Sequence, residues 1–127
     1  MTGPDFSKSV LIPVIAQDHE TGEVLMLAYM NEEAYKETLK TERVCYYSRS
    51  RKKLWRKGEE SGNIQQLHAL YFDCDADTLL VKVTQVGGAA CHEGYKSCFF
   101  RKIDPQTGDV SVEGDRVFDP AQVYGKK

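Results

Sequence analysis

Two short segments hold three of the chain's four cysteines and one of its three histidines, with carboxylates beside them. Asp73-Cys74-Asp75-Ala76-Asp77 sets three carboxylates at alternating positions, and Cys91-His92-Glu93-Gly94-Tyr95-Lys96-Ser97-Cys98 adds two thiols and an imidazole. Carboxylates are hard donors suited to Mg²⁺, and thiolates are soft donors suited to zinc. In an extended segment, side-chain alternation would send Asp73, Asp75 and Asp77 to one face and Cys74 to the other. The plainer reading of the same residues is a solvated acidic turn. An EF-hand is excluded: counting from Asp73, the sixth and twelfth positions are Thr78 and Thr84, where that loop needs Gly and Glu. Cys74, Cys91 and Cys98 together offer three thiolates and leave a fourth zinc position open. That is the catalytic pattern, whereas four protein ligands make a closed structural site. The close Cys pairs of zinc fingers and the Pro-Cys-x-x-Cys half of the zinc deaminase signature are missing. His92 is then either a fourth ligand or a general acid or base beside the metal. Cys45 lies in the apolar run Val-Cys-Tyr-Tyr and reads as a small core residue.

A second chemistry is cationic. Seven of the 17 basic residues fall between Arg43 and Lys57, Arg49 and Lys57 among them, on a chain of formal net charge −2. The overall charge argues against a general nucleic-acid binder. The local cluster is either a solvated hairpin tip or a cradle for a small phosphorylated ligand. It runs into the polar loop Gly58-Glu59-Glu60-Ser61-Gly62-Asn63, where Gly58, Ser61, Gly62 and Asn63 can offer backbone amides and short side chains to a phosphate. Trp55 is suited to stacking on a base, although a lone Trp in a β protein more often fills the core. His68 falls in an apolar run and reads as structural; His19 lies in a turn and takes no role.

These residues need a scaffold. A chain of 127 residues, 41% hydrophobic, is one domain's worth, and residues 1–127 read as a single domain without repeat or long linker. Ser9–Gln17 and Glu23–Met30 form the arms of a hairpin around Asp18-His19-Glu20-Thr21-Gly22. Asn31 is a helix N-cap, with Glu32 and Glu33 in the first turn, and Ala34, Tyr35 and Leu39 at near-helical spacing predict a helix over 32–41. Further strands are expected at Val44–Ser48, Leu54–Arg56, Ile64–Asp73, Leu79–Gln85, Phe99–Ile103 and Val110–Phe118. The sum is an α+β chain, mostly antiparallel sheet with one main helix. Its apolar stretches are far below the roughly 20 residues that span a bilayer. The start Met-Thr-Gly-Pro-Asp-Phe-Ser-Lys carries no apolar signal region, so a cytoplasmic location with reduced thiols is expected.

Four segments carry a resemblance. Trp55-Arg-Lys-Gly-Glu-Glu-Ser-Gly-Asn63, Asp73-Cys-Asp-Ala-Asp77, Gly88-Ala-Ala-Cys-His92 and Ser97-Cys-Phe99 resemble, in the right order, the phosphoribosyl-AMP cyclohydrolase family of histidine biosynthesis. The match runs from about Val24 to Lys102. The resemblance implies hydrolysis of the N1–C6 bond of the adenine ring of phosphoribosyl-AMP, giving the formimino-aminoimidazole-carboxamide ribotide. It implies zinc on Cys74, Cys91 and Cys98 and Mg²⁺ near Asp73, Asp75 and Asp77; with three thiolates filling the protein's share of a catalytic zinc site, His92 is expected as a general acid or base. It also implies an intertwined homodimer whose zinc sites draw ligands from both subunits. Arg49, Trp55, Lys57 and Gly58, followed by Glu59, Ser61, Gly62 and Asn63, become the expected substrate contacts; no nucleic-acid or membrane partner is expected. Glu93 departs from the pattern, since relatives often have Thr after Cys-His. The residues fit this chemistry, because an N1-substituted adenine is electron-poor at C6 and a substrate with two phosphates calls for local cations. Two rival readings are an RNA-binding zinc module, which requires a closed four-ligand site and salt-sensitive affinity, and a thiol redox protein using Cys91 and Cys98. The latter lacks Cys-x-x-Cys spacing and a βαβ pattern.

Overall fold

The segment Ile12–Asp18 alternates strictly, and its even members Ile12, Val14 and Ala16 are fully buried. In the computed structural model, which describes residues 2–59 and 61–123, this segment is strand β1. It turns at Asp18, whose carboxylate accepts from the amides of Glu20 (2.8 Å) and Thr21 (3.2 Å), and returns antiparallel as β2 (Val24–Met30). Gly22, at φ +80, donates its amide to the Asp18 carbonyl and lets the chain reverse. Helix α1 (Glu32–Thr41) starts where the Asn31 side chain accepts from the Ala34 amide at 2.8 Å and stops at left-handed Glu42. Its inward face differs from the expectation. Ala34 and Thr38 are buried, while Leu39 is half exposed. Thr38 can be buried because its hydroxyl binds the Ala34 carbonyl and receives the Cys45 amide.

The following strands are β3 (Cys45–Ser48), β4 (Lys53–Arg56), β5 (Gln65–Phe72), β6 (Leu79–Gln85), β7 (Arg101–Ile103) and β8 (Val110–Val112), and a four-residue helix α2 (Pro120–Val123) comes last. The main sheet has the order β2-β1-β6-β5; β3–β4 and β7–β8 are separate hairpins. Every pairing is antiparallel except β1 with β6, which run parallel with Val14 opposite Leu79. Residues 113–118, expected to continue β8, leave the ladder because β7 offers only three partners. The Val117 amide instead reaches the Gly94 carbonyl.

Ile12, Val14 and Ala16 pack with Leu79, Val81 and Val83 on one face of the sheet, covered by Ala34, Cys45 and Tyr46. The opposite face keeps an apolar row running Leu27–Ile15–Leu80–Tyr71 straight across four strands, and its end members are about half exposed. A buried polar chain crosses the core: Tyr46 donates to Gln65 (2.7 Å), Gln65 to Gln85 (2.9 Å), and Gln85 to the Asn63 carbonyl (2.6 Å). This chain fixes the loop after β4 to the centre of the sheet.

Candidate active site

Strand β4 delivers Trp55 and Arg56 to the mouth of a groove of about 1270 Å³. Its walls hold Trp55, Lys57, Gly58, Glu59 and Ser61 on one side and His92, Cys98 and Ala90 on the other, with Arg51, Lys53 and Arg56 at the rim. The β4 segment and the cysteine loop, far apart in sequence, thus share one cavity. Trp55 packs on Tyr46 with ring centroids 5.5 Å apart and also lines the groove. It also borders a smaller hollow of about 530 Å³ with Tyr29, Tyr47 and Arg49. There the Arg49 guanidinium lies 4.0 Å over the Tyr29 ring.

The loop after β4 closes tightly. Gly58 has φ +85, and a Cβ there would meet the Ile64 nitrogen at 2.3 Å, so only glycine fits. Gly62 donates to the Gly58 carbonyl at 2.7 Å. Asn63 turns away from the groove: its carbonyl is held by Gln85 and its side chain fills the space beside Gly87. Gly62 and Asn63 therefore shape the loop, while Gly58, Glu59 and Ser61 face the cavity; Glu60 lies outside the described residues.

The cysteine loop is pinned from several directions. The Cys91 amide donates to Tyr95, the Cys98 amide to Leu25 (2.7 Å), and the Ser97 hydroxyl to Val24 (2.8 Å). Lys96 forms ion pairs with Asp18 and Glu23, both at 3.1 Å, tying the loop to the β1–β2 turn. Gly94, at φ +97, would bring a Cβ within 2.3 Å of the Phe118 carbonyl. The Glu93 amide points at the Cys91 sulfur at 3.4 Å, the kind of donor that supports a thiolate. Cys98 lies open to the groove, yet its thiol is hemmed by neighbouring atoms. This desolvation, with Cys91 alongside and hydrogen-bonded to it, pushes its pKa up to about 12. Two sulfurs this close resist carrying two negative charges unless a cation joins them, which is the chemistry of a metal-binding pair.

Cys74 is exposed on the turn between β5 and β6. Among the described residues it forms no trio of neighbouring ligand atoms with Cys91 and Cys98. The trio that does form is Asp73, Asp75 and Asp77, with ligand oxygens within 4.8 Å of one another. These carboxylates gather for a different reason from the one expected. The segment is not extended, so the alternation argument that placed Cys74 on an opposite face does not hold. Ala76 is left-handed at φ +61, the Ala76 amide donates to the Asp73 carbonyl, and the chain curls the carboxylates together. The Asp77 amide donates to the Asp73 carboxylate at 3.0 Å, and this bond chiefly holds Asp73 below the usual carboxylate range. His68 sits on β5 outside the groove, bound to the Thr84 hydroxyl at 2.6 Å and stacked on His19 at 4.1 Å. Arg51 and Lys53, members of the basic cluster between Arg43 and Lys57, stand at the groove's rim, whereas the tether of Arg56 to Glu37 (2.9 Å to the second oxygen) and the glutamine chain have no counterpart in the sequence reading.

A groove lined by an exposed imidazole, a paired thiol, an aromatic ring and a rim of cations is that of an enzyme acting on a small molecule. The phosphoribosyl-AMP cyclohydrolase family model matches residues 26–100. The chain is 54% identical over 125 residues to the phosphoribosyl-AMP cyclohydrolase of Desulfotalea psychrophila, covering 97% of both chains. It is 58% identical to that of Desulforapulum autotrophicum over 94% of this chain and 96% of the relative, and 56% identical to that of Nitratidesulfovibrio vulgaris over 95% of each. The chain belongs to the phosphoribosyl-AMP cyclohydrolase family and is a hydrolase. Among the described residues, no helix is long and apolar enough to cross a membrane.

Proposed function

We propose that this chain opens the adenine ring of phosphoribosyl-AMP by hydrolysing its N1–C6 bond, a step of L-histidine biosynthesis in the cytoplasm. The observation that carries this reading is the single groove uniting His92 and Cys98 with Trp55 and the cations of the β3–β4 hairpin. The substrate is an aromatic ring bearing two phosphorylated arms. Trp55 offers a face for the ring, and Arg49, Arg51 and Lys53 offer charge for the phosphates. Water adds at C6 and the N1–C6 bond breaks; C6 becomes the carboxamide carbon and N1 leaves as the formimino nitrogen. His92, exposed on the groove wall, moves the proton from the attacking water to N1.

The paired thiols with an amide aimed at Cys91 suit zinc, and Cys74, Cys91 and Cys98 are its proposed ligands. When bound, zinc would supply a Lewis acid that makes water nucleophilic near neutral pH. Because Cys74 does not join the other two within one chain, the third ligand is proposed to come from a second copy, making a homodimer. The open apolar row through Ile15 and Leu80 favours such an assembly. Asp73, Asp75 and Asp77 are the proposed Mg²⁺ ligands. The reading is tested by following absorbance after phosphoribosyl-AMP is added to zinc-loaded protein. Ring opening is expected to change the adenine spectrum, and an unchanged spectrum with intact substrate overturns the assignment.

A further inference from the structure

Lys57 stands in an unusual place for a lysine. It is 7% exposed, directly after β4 and in the wall of the groove. Its Nζ donates to the Ala90 carbonyl at 2.6 Å and lies 5.4 Å over the Trp55 ring. Among the described residues, no carboxylate pairs with it. A buried ammonium without an anion is costly, and lysines are almost never fully buried unless paired. Burial accordingly lowers its pKa, and the groups acting in the opposite direction are Cys98 and Cys91. The carbonyl it holds belongs to the residue immediately before Cys91.

We propose that Lys57 is a positioning residue whose cation is the counter-charge of the Cys91–Cys98 thiolate site, rather than a ligand of a substrate phosphate. The inference rests on the zinc reading above. Zinc bound by three thiolates carries one negative charge in excess, and a buried ammonium anchored on the carbonyl immediately before Cys91 cancels it where water cannot. The same amine fixes the Ala90 carbonyl and so the start of the ligand loop. Partners behind metal ligands are typically worth 10- to 100-fold in metal affinity.

The test is zinc affinity by competition with a chromophoric chelator, alongside melting of the metal-free protein. Lys57→Gln keeps a donor for the Ala90 carbonyl and removes the charge; Lys57→Met removes both; Lys57→Arg keeps the charge. We expect Lys57→Gln and Lys57→Met to bind zinc 10- to 100-fold more weakly than the parent. Lys57→Arg should lose less, and metal-free Lys57→Gln should melt no lower than the parent, since an unpaired buried charge has been removed while the Ala90 carbonyl keeps a donor. Parental zinc affinity in Lys57→Gln overturns the inference and leaves a hydrogen-bond tether. Parental affinity in all three with a raised KM for phosphoribosyl-AMP also overturns it, in favour of phosphate binding. A parent chain that takes up no zinc overturns the zinc reading beneath it as well, so the two failures are distinguishable.

Discussion

The four cysteines divide by their surroundings. Cys45 is buried in the core, where desolvation and the nearby Glu37 push its thiol up to about 11, and its amide is committed to Thr38. A thiol so held stays protonated and inert. Cys45→Ala should therefore leave zinc content and turnover unchanged, at a stability cost of roughly 1 kcal/mol, read from the urea midpoint. Cys74→Ala, Cys91→Ala or Cys98→Ala should each lose both zinc and activity, and a fully active variant among the three removes that residue from the ligand set. His92 differs from all of them in being exposed and within the groove. His92→Ala should retain zinc and fold while turnover falls by about 10²- to 10⁴-fold. Zinc stoichiometry beside a rate–pH profile separates this from a ligand role, for which metal would be lost.

At the scale of elements, the loop 58–63 depends on what lies behind it. Gln65→Leu would leave the Tyr46 hydroxyl and the Gln85 side-chain Oε1 without their buried partner, a loss of about 1–3 kcal/mol in a chemical melt. It should raise KM through a loosened loop more than it lowers kcat. Asp75→Asn should raise the Mg²⁺ concentration needed for activity with zinc content unchanged, because the turn's proposed share of the zinc site is the Cys74 thiol and not its carboxylate trio. Loss of zinc in that variant would show the trio to serve zinc as well. Local patterning made much of this scaffold legible. The Asn31 cap and the 3.6-residue period located α1, and alternation between turn residues located β1 through β6. Alternation does not name a partner, however, so nothing in Ile12–Asp18 announced that its second neighbour is a parallel strand from the far side of the helix. The carboxylate trio is visible as composition, but the sequence leaves its shape open between a strand and a turn, since left-handed Ala76 leaves no trace in residue type. The burial of Lys57 was equally hidden: a lysine inside a basic run reads as solvated unless the fold says otherwise.

The whole molecule leaves one proposed zinc site unfinished and one sheet face bare. If the missing thiol comes from a second copy, two inactive variants should repair each other. Cys74→Ala mixed with Cys91→Ala after unfolding and reassembly gives mixed dimers with one intact site and one doubly damaged site. Activity should then recover to roughly a quarter of the parental level under random pairing. No recovery in a mixture that sediments as dimers would mean each chain completes its own site.

The parallel seam between β1 and β6 also sets the order of events during synthesis. β1 can pair with β2 almost as soon as both leave the ribosome, but its other edge waits until Leu79–Gln85 has been made. Until then the Val14–Asp18 edge offers unpaired backbone groups to any passing strand. Such long-range pairing slows folding. Growth temperature and chaperone supply should consequently govern the soluble yield of this chain more than the stability of its finished core does.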